Sequence, residues 1–114
     1  MAPSAEPHRS DCPISFALEI FGDRWTLIVL RDLMLNSRQR YKELLEGDEG
    51  IATNVLAERL KRLEHRKLIT KKRDPSDARK FIYLPTELAV SLVPMLVEMT
   101  AWGIRTSETG KDAI

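Results

Sequence analysis

Thr53-Asn54-Val55-Leu56-Ala57-Glu58-Arg59-Leu60-Lys61-Arg62-Leu63-Glu64-His65-Arg66 is the stretch from which the fold can be read. Leu56, Leu60 and Leu63 recur at helical spacing, so one face of this segment is set to be buried. At 100° per residue the opposite face carries Asn54, Glu58, Lys61, Arg62 and His65, with Thr53 and Ala57 at its edge. Upstream, Gly47-Asp48-Glu49-Gly50 is a turn, and a short helix over about 40–45 shows Tyr41, Leu44 and Leu45 on one side. A short helix, a glycine-containing turn and an amphipathic helix that begins with small polar residues form a helix-turn-helix pattern.

Downstream, the segments 68–73 and 80–84 alternate or carry β-formers, with Asp74-Pro75-Ser76-Asp77-Ala78 between them. This reads as a β-hairpin with a long charged tip, closed by Pro85. Thr86 is placed to cap a further helix, and Pro94 to start or kink the last one. On the N-terminal side, Pro13 can occupy the first turn of a helix that stops at Gly22. Asp23 is a suitable N-cap for a helix over about 24–35. Apolar residues wrap nearly all round that helix, which places it at the centre of the fold. The expected class is mainly α with a small β-hairpin, a winged helix-turn-helix over residues 12–109. A loose arm over 1–11 and a short flexible tail over 110–114 flank it.

Charge is unevenly distributed. The 114 residues carry a net +1, yet between Ala52 and Lys80 ten Lys/Arg face four acids, so this stretch is +6 and the remainder −5. Such a concentration fits either a polyanion-binding surface or a solvated helix face with alternating charges. For a polyanion, the second helix must bury one side and offer the other to base edges in the major groove. The candidates are Thr53, Asn54, Ala57, Glu58, Lys61 and Arg62, joined by Arg40 at the start of the preceding helix. Asn54 can pair with adenine, Lys61 with guanine or a phosphate, and Ala57 with a thymine methyl; Glu58 can accept from cytosine or set the docking angle. Lys71, Lys72, Arg73, Arg79 and Lys80 on the hairpin would touch backbone or minor groove, a positioning role.

An enzyme is disfavoured. There is no glycine-rich phosphate loop, no nucleophile beside a plausible base, and two histidines with one cysteine lack metal-ligand spacing, so neither metal nor cofactor is expected. The longest apolar run, residues 27–30, is far too short to span a membrane. The first eleven residues lack the apolar core of a secretion signal, and one cysteine cannot build an internal disulfide. Both features read as cytoplasmic. The competing reading is a winged-helix protein-interaction module without DNA binding, since the same fold serves both uses.

Several groups of residues resemble the HxlR-type winged helix regulators: Cys12-Pro13, Gly22-Asp23-Arg24-Trp25 with Thr26 to Leu30, and Arg40-Tyr41-Lys42-Glu43-Leu44. Gly50-Ile51-Ala52, Leu68-Ile69, Tyr83, Thr86-Glu87-Leu88 and Trp102-Gly103 extend the likeness over residues 12–104. The hairpin tip from Asp74 to Arg79 also looks like that of MarR-type regulators. The resemblance implies a homodimer on a palindromic operator near a promoter, acting as a transcriptional regulator, foremost a repressor. Its interface helices would be about 13–21 and 86–107, with Ile14, Phe16, Leu92, Leu96, Met99 and Trp102 at the contact. It further implies that Cys12 can serve as a sensor of an oxidant or other small-molecule effector. A helix N-terminus favours the thiolate there, whereas the plainer reading is a small apolar residue packed at the interface.

Three positions depart from the family pattern. Lys67 stands where a glycine is usual, so the helix exit needs a left-handed non-glycine residue or another route. Ala52 replaces a common capping serine, a role expected to pass to Thr53, and Ala89 replaces a glycine.

Overall fold

Helix α2 (Arg24–Leu35) is the hub on which the other elements pack. In the computed structural model, which describes residues 11–107, it follows α1 (Pro13–Phe21). After it come α3 (Tyr41–Leu45), α4 (Thr53–His65), β1 (Ile69–Asp74), β2 (Asp77–Pro85), α5 (Glu87–Val90) and α6 (Val93–Thr106). The expected arm, except Asp11, and the expected tail lie outside the described residues. The order, mostly helical with one antiparallel hairpin, is that of a winged helix-turn-helix.

The reason α2 sits centrally is its composition. Val29, Leu30 and Leu33 are buried, and α1, α3, α4 and β2 all contact it. Burying its polar residues is tolerable because each is satisfied. The Thr26 hydroxyl donates to Asp23, and Asp32 Oδ1 accepts from Asn36 at 2.8 Å and from Arg31 at 3.0 Å. Asp23 caps α2 as expected, accepting from the Trp25 and Thr26 N–H groups. Gly22 is required between α1 and α2, because a Cβ there would collide with the Leu18 carbonyl. Gly50, with φ of +72°, closes the turn that leads into α4.

Helix α4 is held by Leu56, Leu60 and Leu63, which are 0%, 3% and 1% exposed. Its start differs from expectation. Ala52 is the N-cap residue and makes no side-chain cap, while Thr53 is the first helical residue and caps nothing. A separate contact ties the first turn from outside: the Tyr41 hydroxyl donates to the Thr53 carbonyl at 3.0 Å. At its end the left-handed residue does appear: Lys67 has φ of 62°. Lys67 N–H donates to Glu64 O at 3.0 Å and Leu68 N–H to Leu63 O at 2.9 Å, a Schellman closure with Leu63 and Leu68 both buried. A side chain in that conformation costs about 1 kcal/mol. Lys67→Gly is therefore expected to raise the melting temperature by several degrees, measured by thermal denaturation. A lowered midpoint would show that the lysine side chain contributes more than the strain removes.

The hairpin tip is tighter than expected. Asp74 and Asp77 pair, leaving a two-residue loop of Pro75 and Ser76 rather than the five-residue tip Asp74–Ala78. The Asp74 carboxylate accepts from the Ser76 N–H at 2.9 Å and its hydroxyl at 2.8 Å, which folds the turn back on itself. A register irregularity between Arg73 and Asp74 absorbs the difference. The segment before α3 also joins the sheet: Arg40 bridges Ile82, and Tyr83 N–H donates to Gln39 O at 2.8 Å. Thr86 caps α5, accepting from Ala89 N–H, and Pro94 stands in the first turn of α6, both as expected.

Candidate nucleic-acid interface

The outward side of α4 and the hairpin bring most of the candidate residues to the surface. Thr53, Asn54, Ala57, Glu58 and Lys61 are exposed, and Arg62 is half-buried beside them. All five basic side chains of the wing, Lys71, Lys72, Arg73, Arg79 and Lys80, are exposed. Lys71 and Arg73 lie over the Phe81 ring at 4.4 and 4.6 Å from its centroid, so a single aromatic side chain supports two cations at the wing surface. The Arg73 guanidinium also donates to Ala78 O at 2.9 Å. Arg79 instead turns back on Asp77, donating from Nε at 3.1 Å.

Two internal ion-pair systems fix the geometry of this surface, and neither is evident from the sequence. The first joins the wing to the helix-turn-helix. Arg40 donates from Nε to Asp74 Oδ2 at 2.6 Å and from a second nitrogen to Oδ1 at 3.1 Å, a two-point contact across 34 residues. Asp74 is 3% exposed, and the Arg40 guanidinium with the Ser76 donors holds its carboxyl far below the usual carboxylate range. Arg40, expected at the DNA contact, thus also ties the wing tip to α3. Glu43 is likewise held low by the Arg40 and Gln39 backbone N–H groups that it accepts from.

The second system joins α4 to α2. Asp23 Oδ2 accepts from Arg59 Nε at 2.8 Å, and Oδ1 lies 3.4 Å from Arg62. Glu58 meets Arg62 at 3.2 Å and also pairs with Arg59. Burial opposes charge on Asp23, but the Thr26 hydroxyl, the Arg59 guanidinium and the Trp25 N–H outweigh it and hold the carboxyl well below its ordinary value. Glu58 and Arg62 are therefore engaged with their own protomer as well as bordering the exposed polar face of α4. Arg59 was not among the expected residues, because no local pattern relates it to an aspartate 36 positions earlier.

Around the turn that enters α4, Glu49 meets Arg24 at 2.6 Å and Arg31 at 3.4 Å, anchoring the loop to α2. Beneath it, Trp25, Ile28, Val29, Leu44 and Ile51 line a water-sized gap.

The terminal helices carry the other exposed feature. Ile14 and Leu18 on α1 are 71% and 59% exposed, and Val97, Met99 and Trp102 on α6 are 55%, 51% and 62% exposed. Phe16 is half-buried and Cys12, the N-cap residue of α1, is exposed. Two expected interface residues point elsewhere. Leu96 is buried within the protomer, and Leu92 packs against the protomer's own core. The start of α6 covers that core, and only the part beyond Leu96 runs out past it. By length and composition Glu87–Thr106 is apolar enough to cross a membrane, with a mean hydropathy of 1.4. The turn at Ser91 and Leu92 breaks it in two, and Ala89 and Leu96 are committed to the core.

Comparison with known proteins agrees with this architecture. The regulator YodB of Bacillus subtilis is 34% identical over 100 residues, covering 87% of this chain and 88% of its own. The regulatory protein MalR of Fusobacterium mortiferum is 35% identical over 92 residues, covering 81% and 87%. The reduced form of YodB superposes with a TM-score of 0.68 at 31% identity, covering 87% of this chain and 97% of that one. A MarR-family regulator from Porphyromonas gingivalis gives 0.74 at 27%, covering 89% and 98%. Residues 20–111 match the family model described as HxlR-like helix-turn-helix. With a hub helix, a glycine-turn helix pair and a basic wing in that order, this chain belongs to the HxlR-like family of helix-turn-helix transcriptional regulators.

Proposed function

We propose that the protein binds double-stranded DNA sequence-specifically as a homodimer on a palindromic operator and represses by occupying a promoter in the bacterial cytoplasm. The observation that carries this reading is the pairing of an exposed polar face on α4 with five exposed cations on the adjacent hairpin, in a chain whose remainder is net negative. Helix α4 enters the major groove, where Asn54, Ala57 and Lys61 meet base edges, while Lys71, Lys72, Arg73 and Lys80 hold the backbone. The dimer forms through Ile14, Leu18, Met99 and Trp102, whose exposure on the terminal helices is too apolar for water alone.

Cys12 is the site of an oxidant response in this reading. YodB has been solved in reduced, diamide-treated and quinone-bound forms. Here the thiol stands at the start of α1, two residues before Ile14 on the proposed dimer face, and any disulfide must be intermolecular because the sequence has one cysteine.

Salt dependence tests the DNA contact. A dimer displacing counterions with its wings and α4 helices should lose affinity for a promoter duplex with a log–log slope of magnitude about 5 or more. A flat response in a salt titration contradicts DNA binding.

A further inference from the structure

Asp23 does more than start α2. Its Oδ2 accepts from the Trp25 N–H at 2.9 Å and the Thr26 N–H at 3.2 Å, which is all that a cap requires. The same carboxylate also holds Arg59 at 2.8 Å and reaches Arg62 at 3.4 Å, both on α4. The Arg59 side chain is 17% exposed and therefore fixed between the two helices, whereas Arg62, at 34%, borders the reading face. Asparagine or serine would cap α2 about as well as aspartate does. A carboxylate, unlike those neutral caps, also offsets the charge of the two guanidinium groups beside it.

We propose that Asp23 is a positioning residue for base discrimination, which fixes α4 against α2 through Arg59 and Arg62 and, together with Glu58 (3.2 Å from Arg62 and also paired with Arg59), withholds both cations from phosphate. It touches no nucleic acid. The inference rests on the DNA reading above. Any cation offered to phosphate strengthens binding to every sequence alike, because the backbone is the same throughout. Base contacts depend instead on how accurately the helix is placed, since a site loose by about 1 Å loses its hydrogen-bond geometry. Holding Arg59 and Arg62 inward therefore favours the right sequence twice, by placing α4 and by lowering the affinity common to all duplexes.

Asp23→Asn removes the charge and keeps one acceptor for the α2 N–H groups, while the Thr26 hydroxyl, which donates to the second carboxylate oxygen, must turn to accept from the amide. Two probes are used: a duplex enriched by the wild-type protein from a random pool, and a scrambled duplex of the same length and composition. The preference of Asp23→Asn for the enriched duplex is expected to fall at least about tenfold. Part of that fall comes from tighter binding to the scrambled duplex, by about threefold, with a salt slope steeper by about one to two. A purely structural role would weaken both duplexes in parallel. Arg59→Gln breaks the clasp without touching the cap, so its preference should also fall, but without tighter scrambled binding. An unchanged preference in folded Asp23→Asn, or parallel loss on both duplexes, overturns the proposal. If Asp23→Asn does not fold, an Arg59→Gln variant that keeps its preference overturns it. A wild-type protein that shows no preference between the two duplexes overturns the DNA reading itself.

Discussion

Leu56→Ala is expected to lower the stability of the protein by about 3 kcal/mol, the range found when a fully enclosed leucine is cut back and the space does not collapse. Leu56 is 0% exposed and lies in the same buried cluster as Val29, Leu30 and Leu44, so the cavity opens where α2, α3 and α4 meet. The loss is a large share of the roughly 5–15 kcal/mol typical of a domain. It should appear in urea unfolding as a lower midpoint with little change in slope. DNA affinity should fall with it, because the face that carries Asn54 and Lys61 is backed by this residue. A loss below about 1 kcal/mol would mean that α4 is not seated as described.

Trp102→Asp is expected to convert the protein to monomers and to reduce operator affinity by roughly 10²-fold. Trp102 is 62% exposed in the protomer, so its own fold loses little. In the proposed dimer it would be buried, and a carboxylate placed there carries a desolvation penalty that the indole does not. Two linked half-sites bind far more tightly than one, because the second contact is made at high effective concentration. Sedimentation checks the assembly, and duplex binding checks the consequence. A dimer that persists in Trp102→Asp would remove the C-terminal part of α6 from the interface. The same substitution separates the two readings of Glu87–Thr106: a segment that only packs between protomers yields a soluble monomer.

The order of elements was legible because each is punctuated locally. Pro13, Gly22 with Asp23, Gly50, Thr86 and Pro94 all mark boundaries through backbone geometry or capping, which act within a few residues. The leucine stripe of α4 was legible for the same reason, since a period of 3.6 needs no knowledge of what covers it. The exposed polar face of α4 and the exposed hairpin cations followed as its complement.

What escaped the sequence was settled at long range. The tie at the start of α4 depends on a Tyr41 hydroxyl that reaches the Thr53 carbonyl from another helix. The tie between the wing tip and α3 depends on Arg40, which gives two donors to the Asp74 carboxylate across 34 residues. Neither pairing leaves a local signal. Leu92 and Leu96 share the spacing of Met99, and spacing alone cannot say where along α6 the protomer's core ends. The links from Asp23 to Arg59 and Arg62 were hidden in the same way, although each residue type is commonplace where it stands.

Selection from a random duplex pool tests the central claim most directly. Two α4 helices related by a two-fold axis should enrich an inverted repeat whose half-sites are centred about one helical turn, roughly 10 base pairs, apart or a multiple of it. An inverted repeat of that spacing is the result predicted here. Enrichment of no sequence, or of a lone half-site without symmetry, would contradict a dimer that reads DNA through α4.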